Sequence, residues 1–245
     1  METTKKSQIV GIKNAGIVII CCFIIAVCIY HFLLGNPSNF MNNDPNNHPL
    51  NMLGTIYKGG IIVPIIQTLL LTVLALSIER YFALRSAFGK GSLSKFVANI
   101  KDALAAGDMK KAQEICDKQR GSVANVVTST LRKYEEMEKN TSLPKEQKLL
   151  AIQKELEEAT ALEMPMMQQN LPIIATITTL GTLMGLLGTV IGMIRSFAAL
   201  SAGGGADSMA LSQGISEALI NTAFGILTGA LAVISYNYYT NKIDK

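Results

Sequence analysis

Two long apolar runs set the terms for this chain. Leu171 to Ile194 contains no charged residue, and neither does Ala218 to Tyr238. A helix needs about 20 apolar residues to cross a bilayer, and both runs reach that length. The link between them, 198–213, is short and rich in small residues, with Gly203, Gly204, Gly205 and Asp207. Two such runs with so short a link make a membrane hairpin. Backbone groups in lipid have no water to bond, so a chain of this kind must fold as helices or a closed barrel. No strand-like alternation persists along the sequence, and the expectation is an all-α integral membrane protein.

Polar residues interrupt both runs at helical spacing. In the first, Thr182, Gly185, Thr189, Gly192 and Ser196 recur at intervals of three and four. In the second, Glu217, Asn221, Gly225, Thr228 and Ala232 do the same, with Thr222 beside them. Residues at these intervals share one helix face. Gly181 with Gly185, Gly188 with Gly192, and Gly225 with Gly229 fit the small-x-x-x-small pattern that lets membrane helices approach closely. These six glycines are the expected helix-packing positions.

Glu217 is the only acidic residue tied to either run. An ionisable residue in a membrane helix is costly unless it faces an interior or a water path, so it is a functional candidate. Its ordinary alternative is an interfacial carboxylate near a helix N-terminus, where the dipole favours it. Thr189 and Thr222 have an ordinary role too, since membrane hydroxyls often bond a carbonyl one turn back. Arg195, at the end of the first run, is expected to snorkel to headgroups.

The segment Gly185-Leu-Leu-Gly-Thr-Val-Ile-Gly-Met-Ile-Arg-Ser-Phe197 resembles the signature of the MotA/TolQ/ExbB proton-channel family, closest to its ExbB and TolQ branches. So does Gly214-Ile-Ser-Glu-Ala-Leu-Ile-Asn-Thr-Ala223, followed by Gly225. Looser similarity extends from about Ile56 to Asn241. The resemblance implies a three-span ExbB/TolQ-like core, here with an extra N-terminal transmembrane helix and a helical cytoplasmic region. It implies an ion pathway through Thr189, Glu217 and Thr222. It further implies a homo-oligomeric ring, a pentamer, around a single-span ExbD/TolR-like partner that supplies an intramembrane Asp. A TonB/TolA-like protein would receive the work, and the bilayer is the remaining partner. The function so implied is that of a subunit of an inner-membrane proton channel or motor that uses proton motive force to energise cell-envelope transport. A TolQ-like envelope-maintenance motor, a flagellar-stator-like channel and a passive membrane scaffold are the alternatives.

The remaining sequence divides around these spans. Residues 1–14 are polar, with Lys5, Lys6 and Lys13. Ala15 to Leu34 is a further apolar run; it lacks a small-x-small cleavage site after it and is read as a retained anchor. Residues 35–58 are rich in Asn and Pro and form a loop, with a short amphipathic piece at Leu50 to Tyr57. A span covers 59–79, where Pro64 falls in the tolerated first turns. Residues 80–170 form the soluble helical region, with helices at Leu93 to Ala106, Met109 to Lys118 and Ser122 to Glu138. Asp108 is the N-cap of the second of these. A fourth helix starts at Lys145, carries an apolar stripe of Leu149, Ile152, Leu156, Ala159 and Leu162, and is expected to run on into the next span, kinked by Pro165 and Pro172. The stripe is expected to pack on the other soluble helices or on neighbouring subunits. The hairpin spans are 171–197 and 214–238, joined by a short periplasmic loop at 198–213, and 239–245 is a tail.

Lys and Arg placement gives the orientation. With the N-terminus inside, 3 fall in 1–14, 15 in 80–170 and 2 in 239–245, leaving Lys58 and Arg195 outside among a total of 22. Both termini are therefore expected to be cytoplasmic, with the protein multi-pass in a bacterial inner membrane.

Several classes find no support. A formal charge of +4 without a dense basic, aromatic-laced patch argues against nucleic-acid binding. Cys21, Cys22, Cys28 and Cys116 have no metal-ligand spacing, and His31 and His48 stand alone, so neither metal nor cofactor is expected. No nucleophile, base and orienting acid occur together and no phosphate-binding Gly loop follows a strand, so an enzyme is not expected.

Overall fold

The computed structural model describes residues 11–12, 14–202 and 208–244. Nine α-helices follow in order among them: α1 (Ala15–Cys28), α2 (Met52–Tyr57), α3 (Ile62–Ala87), α4 (Leu93–Ala105), α5 (Met109–Gln119), α6 (Ser122–Lys139), α7 (Lys145–Gln168), α8 (Leu171–Ala202) and α9 (Ser208–Ile243). The described residues contain no β-strand, only one antiparallel bridge between Phe40 and Pro49. Four helical stretches are long and apolar enough to cross a membrane: Ala15–Leu34, Ile62–Ala87, Leu171–Ala198 and Leu211–Ile243. The all-α membrane architecture expected from the sequence is the one observed.

The chain divides into two units. One holds Ile12–Ile78 and Asn170–Lys245. Here α8 and α9 form the hairpin, with glycines at their contact. A Cβ placed on Gly181 would lie 3.3 Å from the Gly225 carbonyl oxygen, and one on Gly185 would lie 3.0 Å from Gly225 Cα. Gly192 comes equally near the Gly214 carbonyl and the Ala218 nitrogen, at 2.8 and 2.9 Å. Buried hydroxyls in the same unit bond back one turn, as Thr68 to the Pro64 carbonyl (2.7 Å) and Thr72 to that of Thr68 (2.8 Å). Tyr239 donates to the Ser77 carbonyl at 2.6 Å, tying α9 to α3.

The loop after α1 is compact. The last turns of the first span, Ile29–Leu34, widen to π-helical pitch. Asn39 closes that end by donating to the Leu33 and Leu34 carbonyls. Phe40 is fully buried, Tyr30 stacks on Tyr57 at 4.7 Å, and Asn51 caps α2 by accepting from Gly54 N. Lys58 follows α2 and donates to the Asn46 carbonyl at 3.0 Å. Burial lowers the Lys58 pKa from its ordinary value, and the nearby Asp44 carboxylate partly offsets this.

The other unit holds Gly11 and Glu79–Gln169. Its core is Phe96, Ile100 and Ala103 of α4, Ala112 and Cys116 of α5, and Ala124 and Leu131 of α6. Asp108 accepts from Lys111 N at 2.9 Å, the N-cap bond that its position before α5 suggests. Burial raises the Cys116 thiol pKa, against a smaller opposing effect of its contact with Thr128. Arg80 is fully buried, paired with Glu79, and directs Nη1 at the Met166 and Met167 carbonyls, 3.4 Å from each. Those carbonyls end α7, where a helix leaves acceptors unmatched and carries partial negative charge.

Two expectations change. The fourth soluble helix does not continue into the third span: α7 stops at Gln168, Asn170 adopts φ +66°, and α8 begins at Leu171. Pro172 has no N–H for the carbonyl four residues back, and Asn tolerates the left-handed conformation better than most residues. Pro165, by contrast, stays inside α7. The α7 stripe also gains little cover from its own unit. Ala159 is buried, but Leu149, Leu156 and Leu162 are exposed.

Candidate ion pathway

The polar stripe of α9 turns into the protomer. Glu217, Asn221 and Thr228 are buried, as is Ser196 of α8. Their bonds stay within the hairpin and the turn before α3. Thr228 donates to the Phe224 carbonyl at 2.8 Å, and Ser196 to the Gly192 carbonyl at 3.0 Å. Asn221 Nδ2 donates to the Gly59 carbonyl at 2.8 Å, reaching 162 residues back along the chain. Its Oδ1 has no partner among the described residues although the side chain is fully buried. Glu217, Asn221, Thr228 and Ser196 are thus sheltered inside one protomer, whereas Thr182 and Thr189 of the α8 stripe are not.

Glu217 has a defined partner. Its Oε1 lies 2.7 Å from Arg195 Nη1, with the carboxylate side chain 7% exposed and that of Arg195 54%. Arg195 was expected to reach for headgroups; instead its guanidinium turns back onto α9, because a buried carboxylate needs a counter-charge. The Gly59–Gly60 turn presses on the same pair. Gly60 has φ +73°, and a Cβ there would lie 2.5 Å from Glu217 Oε1 and 3.2 Å from Arg195 Nη1. A side chain at this position would be strained by conformation and would push the Glu217 carboxylate aside.

The two threonines lie elsewhere. Thr189 donates to the Leu186 carbonyl at 2.5 Å and sits on an outward apolar groove with Val190, Met193, Ile194 and Phe197. Thr222 is half-buried and donates to the Ala218 carbonyl at 3.2 Å, with the Gly185 carbonyl at 3.5 Å. Neither hydroxyl bonds to Glu217. Thr222 and Glu217 are thus both held by the α8–α9 hairpin, whereas Thr189 faces out. Sequence reasoning missed Arg195 and the Gly59–Gly60 turn as neighbours of Glu217. Asn221 was legible as one helical turn from Glu217; nothing in the sequence marked the turn.

The fold and this polar hairpin define a multi-pass, all-helical membrane protein with a buried carboxylate clasped between its last two spans. Residues 119–245, just over half of the chain, match the MotA/TolQ/ExbB proton channel family. The chain belongs to that family, which is a transport family and not one of enzymes. Among curated relatives, the putative biopolymer transport protein ExbB-like 3 of Synechocystis sp. is 36% identical over 86 residues, covering 34% of this chain and 41% of its own length. ExbB-like 1 of the same organism is 31% identical over 198 residues, 76% of this chain and 69% of that protein. The Tol-Pal system protein TolQ of Pseudomonas aeruginosa is 24% identical over 192 residues, 74% of this chain and 80% of that protein. The chain therefore spans less than half of the first of these relatives and over two thirds of the other two.

Proposed function

We propose that this chain is the ring-forming subunit of an inner-membrane proton channel or motor that uses proton motive force to energise cell-envelope transport. The observation that carries the reading is the α8–α9 hairpin, whose two family motifs put a buried acid and small polar residues on facing helices within the matched region. The system proposed is the ExbB-like, TonB-type one, with a TolQ-like motor as the alternative; relatives named ExbB-like and TolQ both align over about three quarters of the chain, at 31% and 24% identity.

The pathway runs past Thr189, Glu217 and Thr222 to an acidic residue on a partner helix. No second acidic residue lies in these stripes, so the acid that loads and empties comes from a single-span ExbD/TolR-like protein, and a TonB/TolA-like protein receives the motion. The outward Thr189 groove is the face available to such a helix. Both termini are cytoplasmic on this reading, and the copies assemble as a pentamer. Native mass spectrometry of the chain co-expressed with a single-span protein bearing one intramembrane Asp tests the assembly. A multimer retaining that protein is expected; a monomer that releases it in several mild detergents overturns the reading.

A further inference from the structure

We infer that Arg195 is the positioning residue for Glu217. It holds the carboxylate against the Gly59–Gly60 turn, so that Glu217 serves the pathway as a clasp and not as a proton carrier. The functional consequence rests on the channel reading; the clasp itself rests on geometry alone.

Four observations converge. The pair is close, 2.7 Å between Nη1 and Oε1. Its two members are unequally placed: the carboxylate is enclosed and the guanidinium lies half in the open over it. Arg195 is therefore the lid of the pair and Glu217 its buried anchor. The Gly60 backbone lies directly against the pair: a Cβ there would come 2.5 Å from Glu217 Oε1, so the carboxylate would have to shift to admit one. One turn along α9, Asn221 binds the carbonyl of the adjacent Gly59, so α9 grips the same turn at two successive levels. Three segments distant in sequence, the Gly59–Gly60 turn, the end of α8 and the start of α9, meet at this one ion pair.

The same geometry argues against a relay through Glu217. Thr189 and Thr222 spend their hydroxyl protons on carbonyls of their own helices, and neither is bonded to the carboxylate. A proton taken up by Glu217 would weaken the Arg195 contact and leave that charge facing a neutral acid. Removing one member of a buried pair is costly because the other is left uncompensated. An exchange of the two charges separates the roles. A clasp is recovered by it in part, since the attraction is symmetric although the enclosed site of Glu217 is tighter than that of Arg195; a proton carrier is not recovered, since position 217 then bears a guanidinium that does not titrate.

The test uses the full chain with its single-span partner in lipid vesicles and reads proton uptake under an imposed pH gradient. Arg195→Gln should cut flux by about tenfold or more, in line with the cost of an uncompensated buried charge. Arg195→Lys keeps the charge and should retain most of the flux, though the planar fork is lost. The exchange R195E with E217R should recover a large part of what either single change loses. Wild-type flux from Arg195→Gln overturns the proposal, and so does an exchange protein that folds normally yet conducts no better than Arg195→Gln. Thermal unfolding of the chain alone in detergent decides the clasp even if the exchange protein misfolds or no vesicle conducts. Arg195→Gln, Glu217→Gln and the double change form a cycle. A double shift no larger than the greater single shift supports the clasp, and additive shifts refute it. Absence of flux from wild-type vesicles would sink the channel reading while leaving this cycle to judge the pair.

Discussion

Replacing Gly225 with Ala adds one methyl group where the α8 and α9 backbones approach each other closely. That carbon would lie 2.7 Å from both the Gly181 carbonyl oxygen and Gly185 Cα, and 3.0 Å from Gly185 N. All three are backbone atoms of α8, so no side chain can swing aside. Ordinary contact begins at 3.4 Å, and the helices must part by about 0.7 Å to reach it. A gap of that size forfeits roughly a quarter to a half of the dispersion attraction at each affected contact. Overpacking of this kind costs about 1–3 kcal/mol. By the scaling of soluble domains of similar length, the midpoint should fall by roughly 2–12 °C. The chain has no tryptophan, but Cys22 and Cys116 are buried, so a thiol-reactive dye reports unfolding in mild detergent. Ala230→Leu, at an exposed position of the same helix, is the control. An unchanged midpoint for Gly225→Ala, or an equal fall for Ala230→Leu, would refute the argument from close approach.

Arg80→Leu removes a fully buried guanidinium that pairs with Glu79 and faces the carbonyls ending α7; a loss of about 3–5 kcal/mol is expected, seen as aggregation or early unfolding on heating. Asp108→Ala deletes the cap of α5 and should cost about 1 kcal/mol by chemical denaturation of the soluble helices, whereas Asp108→Asn should cost much less. The Cys116 pKa is raised on folding, so its contribution to stability is complete below the ordinary thiol pKa and is lost as pH rises through the folded value. Unfolding midpoints should therefore drop on the alkaline side, and Cys116→Ser should flatten that drop; an unaltered profile would count against it. For orientation, cysteines at the exposed positions Ser38 and Ser142, in a background without native thiols, should divide when an impermeant reagent is applied to intact cells, with label on the first alone.

Much of the architecture was readable because burial in lipid imposes long apolar runs, and four of these stand out by length. Asp108 was readable as a cap because capping is local. Helical periodicity also identified which residues of α8 and α9 share a face, but not what that face meets. Glu217, Asn221 and Thr228 share the face that the spacing gave, and that face turns into their own protomer. The break at Asn170 depends on one left-handed residue, and Pro172 signalled a kink as readily as a stop. Arg195 and Glu217 are 22 residues apart across the hairpin link. Their meeting depends on the register of α8 against α9 and on a glycine turn from another part of the chain, and neither is written in local spacing.

The central claim, that this chain forms a proton path with a partner helix, is tested most directly by proton uptake into vesicles holding both proteins under an imposed gradient. Thr189→Val and Thr222→Val remove the hydroxyls while preserving shape, and each should reduce flux with assembly intact. Together they should bring it close to the level of vesicles without protein. Wild-type flux from the protein carrying both changes would contradict the account and leave the chain a passive scaffold for its partner.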